Sequence, residues 1–213
     1  MRFFPQSFLL FFTLIIVSSC YTPRGVHSKT IAEPEKQVMD FMVLFVPINE
    51  DIYQLDKQTY DRLLMGNYND LQYKTFRTLL TDGFRKKFKG TFIHDYQNFF
   101  TDHNLYSYDD FVRTLKDDGV KHILLITLKS QKDVIRPVVT SDMAIPVNYS
   151  DRSYQIYLFD INQSSPLWLS YGFHTSTGGL VGIRKTANQL ARGAARELDK
   201  EQLLFASSYG RLN

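Results

Sequence analysis

Cysteine occurs once in these 213 residues, tryptophan once and proline seven times. A single cysteine excludes an intramolecular disulfide framework and a cysteine-built zinc cluster. Neither sign of charge dominates: 25 Lys and Arg stand against 22 Asp and Glu. The dense basic face that phosphate recognition needs is therefore missing, and a nucleic-acid partner is excluded. No internal repeat or low-complexity block interrupts the chain, which argues for one domain. What the sequence does have is apolar and aromatic material, 44% and 15% of residues, enough to bury a substantial core.

A membrane-spanning run is also missing near the start. Phe8 to Val17 (FLLFFTLIIV) has ten residues, against roughly 20 for a helix that crosses a bilayer. Met1 and Arg2 precede it, and Ser18, Ser19 and Cys20 follow, which are the parts of a secretory signal. Val17-Ser18-Ser19-Cys20 resembles the lipobox of bacterial lipoproteins. In that family the cysteine thiol becomes a thioether to diacylglycerol, the signal is cut before it, and the new amino group is acylated. The resemblance implies that Cys20 is the lipid-attachment site and that the membrane is the first partner. Tyr21 stands where aspartate would favour the inner membrane, and no acidic stretch follows before Lys29. The expected place is the outer membrane, facing the periplasm.

The expected organisation is a signal peptide over 1–19, a lipidated, solvated tether over 20–37, one periplasmic domain over 38–206 and a tail over 207–213. Residues 21–37 show no apolar period, which suits a tether. Phe41 to Val46 (FMVLFV) and His122 to Leu128 (HILLITL) read as strands covered on both faces and as neighbours at the centre of one sheet. Asp70 to Lys89 carries Leu71, Phe76, Leu79, Leu80, Phe84 and Phe88 at helical spacing, with Gly90 as the stop. Thr91 to His94 is a short strand. Ser107 caps a helix ending at Gly119. Tyr154 to Phe159 and Leu167 to Thr177 read as an antiparallel pair turning at Asn162 to Pro166. Ile183 to Leu204 closes the chain as a helix with Ala187, Leu190, Ala191, Ala194 and Leu198 along one stripe. The expected class is α/β, in an α+β variant: a mixed sheet of five to seven strands with three main helices in the order βαβαβ-ββ-α.

That order, with FMVLFVPINE, DDFVRTLKDDGVKHILLITLKS and YQIYLFDINQSSPLW along it, is similar to small bacterial lipoproteins of the curli secretion and TolB amino-terminal type. Leu158, Phe159, Asp160, Gln163, Leu167 and Trp168 match the hairpin pattern of those families, and Ser164 stands where glycine is usual. The resemblance implies a fold and a habitat and brings no catalytic motif. The curli secretion members also build a transmembrane barrel from long hairpins. Here Val134 to Thr140 and Ala144 to Tyr149, hinged at Ser141 and Asp142, form arms shorter than the 9 to 11 residues of a spanning strand. They are also broken by Pro137 and Pro146, and a pore is not expected.

Chemistry-bearing residues are scattered. His94 and Asp95 with Asp102 and His103 match no metal-ligand spacing, so no metal is expected. Thr177 to Gly182 (TGGLVG) precedes Arg184 and Lys185 but lacks the lysine that follows the last glycine of a phosphate loop, and reads as a turn. His174 and Ser176 share a strand face without a third orienting group. Arg85, Lys86, Lys87 and Lys89 around Phe84 and Phe88 read as a solvated helix end. The segment 96–108 holds Tyr96, Phe99, Phe100, Tyr106 and Tyr108 without a clean period, a composition that suits partner contacts. The expected function is a non-enzymatic binding or assembly module for an envelope protein or polymer, with no cofactor. The rival expectations are an envelope hydrolase using loop Asp and His residues and a carrier of a small apolar ligand.

Overall fold

In the computed structural model, residues 27–32, 38–88, 90–139, 143–177 and 179–203 are described. Their centre is β2 (Asp40–Val46), whose residues from Phe41 onward are all buried. It pairs in parallel with β3 (Phe92–His94) on one side and β4 (His122–Val139) on the other, with Val43 opposite Leu124. The two apolar runs are therefore adjacent central strands, as their composition demands. From β4 the sheet turns antiparallel through β5 (Ala144–Asp160), β6 (Pro166–Thr177) and β1 (His27–Thr30). The order across the sheet is β1-β6-β5-β4-β2-β3.

Each face of β2 has its own core, because successive side chains point to opposite sides. Phe41, Val43 and Phe45 join Leu124, Ile126, Ile156, Leu158 and Trp168 beneath two helices, α1 (Lys74–Lys87) and α3 (Gly179–Lys200). The expected stripe on α3 is buried throughout. Gly83 lets α1 come close to α3, since a Cβ there would stand 3.0 Å from Ala191 Cβ. On the other face Met42, Leu44 and Val46 meet Tyr60, Tyr68, Phe100 and Phe111, covered by α2 (Tyr108–Asp117) and the loops around it. Ser107 Oγ caps α2 by accepting from the Asp110 N–H at 3.1 Å.

Four expectations change. Asp70 opens a single 3₁₀ turn (Leu71–Tyr73) before α1, which ends at Lys87. The glycine-rich stretch from Gly179 is the first turn of α3 and not a free turn. β4 and β5 run without interruption for 18 and 17 residues, so the two short arms form one long hairpin with a bulge at Lys129. Pro137 and Pro146 face each other beyond the last pairs made by β2 (Val46–Thr127) and β6 (Thr177–Tyr149), where no outer strand needs their missing N–H groups. The hinge at Ser141 and Asp142 lies outside the described residues.

The fourth concerns the tether. Within the span 20–37, residues 27–30 form edge strand β1, antiparallel to β6. Ser28 Oγ donates to Glu197 at 3.0 Å and Thr30 Oγ1 to Glu201 at 3.0 Å, both on or just past α3. Backbone pairing and two hydroxyl groups hold this strand, so no hydrophobic pattern announces it. Residues 1–26, 33–37 and 204–213 lie outside the described residues, and with them Cys20 and the tail.

Candidate functional site

The aromatic segment expected to meet a partner closes the second core instead. Tyr96 is fully buried and Phe100 is 2% exposed. Phe100 stacks on Phe111 at 5.2 Å and meets Tyr68 edge-on at 5.3 Å. Tyr106 accepts the Thr101 N–H at 3.0 Å, and Tyr108 donates to the Leu55 carbonyl at 3.2 Å. Phe99 is half-buried against His94, with 5.7 Å between rings. Covering the sheet face consumes these rings, and the set does not form an exposed anchor patch. Sequence spacing hid this because the segment is a 3₁₀ turn (Tyr96–Asn98) and loop with no period to read. Arg77, also buried, lies over the Tyr96 ring with its guanidinium carbon 4.8 Å from the centroid.

The dispersed His and Asp residues are tied into structure. His94 Nε2 stands 3.8 Å from Asp40 Oδ1. Burial lowers the His94 pKa against the pull of the Asp40 carboxylate, so the ring is neutral at pH 7. Asp40 also accepts the Lys121 N–H at 2.9 Å. Asp102 is held by Lys74 at 2.6 Å and by the Tyr96 hydroxyl at 3.1 Å. Among the described residues no three His, Cys, Asp or Glu side chains gather as metal ligands. The His94–Asp40 contact sits where β3 pairs with β2.

His174 lies opposite Arg152 in the β5–β6 register and is 4% exposed, with no hydrogen-bond partner for Nε2. Burial, helped by repulsion from Lys185 and Arg152, pushes its pKa down to about 4. A folded-state pKa below the unfolded value means that the unfolded chain binds the extra proton. This contribution is intact above about pH 6.5 and is lost as pH falls toward 4. His174→Asn is therefore expected to reduce the acid loss of stability between pH 7 and 4 by about 3 kcal/mol, read from urea unfolding at a series of pH values. Parallel curves for the two proteins would refute it.

Among the described residues three concavities stand out, one of them an open hollow of about 470 Å³ between Pro47–Glu50 and Leu128–Gln131. A cleft of about 280 Å³ lies between Phe111, Leu115 and Ile123 on one side and the Gln163–Ser164 turn on the other. It falls just below the roughly 300–1,000 Å³ of ligand pockets and suits a small fragment. A larger groove, about 530 Å³, follows the outer part of the β4–β5 hairpin past Gln131, Asp133, Ile135, Asn148 and Arg152. Sequence reading missed this feature, because the two prolines argued against a continuous ladder.

No family model matches the chain, and no curated protein matches it. The resemblance to curli secretion and TolB amino-terminal proteins thus has no family match behind it. Among solved structures the chain is similar to the PelC dodecamer from Paraburkholderia phytofirmans, at 12% identity and a TM-score of 0.42 over 84% of this chain and 97% of that one. It is also similar to lipoprotein GNA1162 from Neisseria meningitidis, at 11% identity and a TM-score of 0.36 over 76% and 98%. A minor lipoprotein from Acinetobacter baumannii follows at 6% identity and 0.35, over 78% and 96%. Bacterial lipoproteins are thus among the structures similar to this chain. At such identities the likeness assigns no residue, ligand or assembly.

Proposed function

We propose that this chain is a bacterial envelope lipoprotein, cleaved before Cys20 and acylated on it, whose domain binds or assembles with an envelope component and performs no catalysis. The observation that carries the reading is the tetrad Val17-Ser18-Ser19-Cys20, which places the sole cysteine two small residues after a ten-residue apolar run. The lipid reaction needs the thiolate as nucleophile and small neighbours for the peptidase to approach. The non-catalytic part rests on His94, Asp40 and Asp102, which are committed to structural contacts. Tyr21 supports an outer-membrane address facing the periplasm.

Replacement tests the anchor directly. Cys20→Ala is expected to leave an uncleaved precursor and to abolish incorporation of a palmitate analogue in cells. A variant that is still processed to normal size and labelled like the parent would overturn the assignment.

A further inference from the structure

β2 and β4 are parallel neighbours whose last shared pair is Val46–Thr127. Beyond it their chains diverge: β2 turns at Pro47 and leads on to α1 over one face, while α2, which delivers the chain to β4, lies over the other. A crevice at the carboxyl ends of parallel strands, where connections on opposite faces meet, is the usual ligand position of an open α/β sheet. The hollow of about 470 Å³ between Pro47–Glu50 and Leu128–Gln131 opens there.

From this hollow residues 51–55 cross the face that carries the second core. The Ile52 N–H donates to the Tyr157 hydroxyl at 2.9 Å and the Leu55 N–H to the Ser164 carbonyl at 2.6 Å. The crossing fixes Asp51 and Tyr53 beside residues from β4, β5 and β6. Lys129, at the bulge of β4, reaches Asp51 Oδ1 with Nζ at 2.7 Å, and its side chain is only 12% exposed. Tyr53 donates to Asp51 Oδ2 at 3.2 Å, and Gln155 hydrogen-bonds the same carboxylate. Gln155 stands opposite Tyr171 and shares its face with Tyr157.

Two observations point to a ligand. Gln155 is 4% exposed, yet its Oε1 and the Oγ1 of buried Thr127, its neighbour in the β4–β5 register, have no hydrogen-bond partner among the described residues. Buried polar atoms are nearly always paired, and two unpaired neighbours beside an ion pair mark bonding completed from outside. The second observation is aromatic: Tyr53 is 77% exposed and Tyr171 42%. The bond to Asp51, with a smaller push from Tyr171, raises the Tyr53 pKa, so the two rings are close neighbours.

The chemistry selects the ligand class. Asp51 is paired with Lys129, and Glu50 in the hollow wall with Arg62 at 3.0 Å, so the charges cancel within the protein. An ion would have to break one of these pairs, whereas an uncharged ligand adds to them. The carboxylate only accepts and the ammonium only donates. Adjacent hydroxyls on a sugar ring do both, at a spacing close to that of Nζ and Oδ1, and the C–H face of the same ring packs on tyrosine.

We infer that Asp51, Tyr53, Lys129, Gln155 and Tyr171, with the adjoining hollow, form a binding site for a neutral saccharide. The inference rests on the reading of the domain as a non-catalytic binding module, and it names the ligand class of that module. Mature protein in phosphatidylcholine nanodiscs is titrated by calorimetry with two neutral probes, tri-N-acetylchitotriose and maltotriose. The cationic triglucosamine and the anionic trigalacturonate are titrated alongside. At least one neutral probe is expected to bind with a Kd of about 1 mM or tighter, and the charged probes about tenfold more weakly. Tyr53→Ala and Tyr171→Ala are each expected to weaken the neutral probe about tenfold while the urea midpoint stays that of the parent.

No heat from either neutral probe at about 10 mM overturns the saccharide site and leaves the module reading standing. Binding that both tyrosine variants retain, or equal binding of triglucosamine and its N-acetylated form, also overturns it. Shortening of a probe, seen by mass spectrometry, overturns the non-catalytic reading instead.

Discussion

Val43→Asp is expected to lower the free energy of unfolding by about 3 to 5 kcal/mol, because it leaves an unpaired charge inside the sheet. Val43 is 1% exposed, pairs with Leu124 and faces the core beneath α1 and α3. Against a total of about 5 to 15 kcal/mol for an ordinary domain, such a loss leaves a large unfolded fraction at physiological temperature. Urea unfolding followed by far-ultraviolet circular dichroism measures it. Met39→Asp is the control: just before the same strand and 56% exposed, it should change stability by less than about 0.5 kcal/mol. Similar values for the two variants would refute the placement of β2 at the centre.

Phe100→Ala is expected to cost about 3 to 5 kcal/mol, the usual loss for an aromatic ring deleted from a packed core. Its ring touches Phe111, Tyr68 and Tyr106 at centroid distances of 5.2 to 5.3 Å. Phe99→Ala removes a half-buried ring and should cost about 1 kcal/mol. The ratio decides between a lid on the core and a contact surface. If both variants unfold like the parent while capture of envelope partners is lost, the segment is a surface after all.

The central sheet was legible because its strands announce themselves. Phe41 to Val46 and His122 to Leu128 are continuous apolar runs, which only a doubly covered strand explains, and they pair as expected. Ser107 with Asp109 and Asp110, and the stripe along α3, were equally readable, since capping and helical period are local signals. What was not legible depends on distant partners. The strand His27–Thr30 has no apolar pattern and is held by Glu197 and Glu201, about 170 residues away. Each proline taken alone argues against a continuous ladder, whereas the register sets them opposite one another where no outer strand asks for their hydrogen bonds. The aromatic segment has a composition that fits a contact patch equally well. The sequence does not show that a sheet face lay uncovered beneath it.

The edge strand also dictates an order of assembly. His27–Thr30 is the earliest described segment to be synthesised, yet its strand partner is β6 and its side-chain partners are Glu197 and Glu201. It has nothing to dock on until nearly the whole domain has emerged. Closing a loop of that length costs only slowly more as length grows, so the delay is a matter of synthesis and not of energy. Until then the outer edge of β6 presents unpaired backbone groups, an open template for strand addition. The first described segment to be made is thus the last to settle.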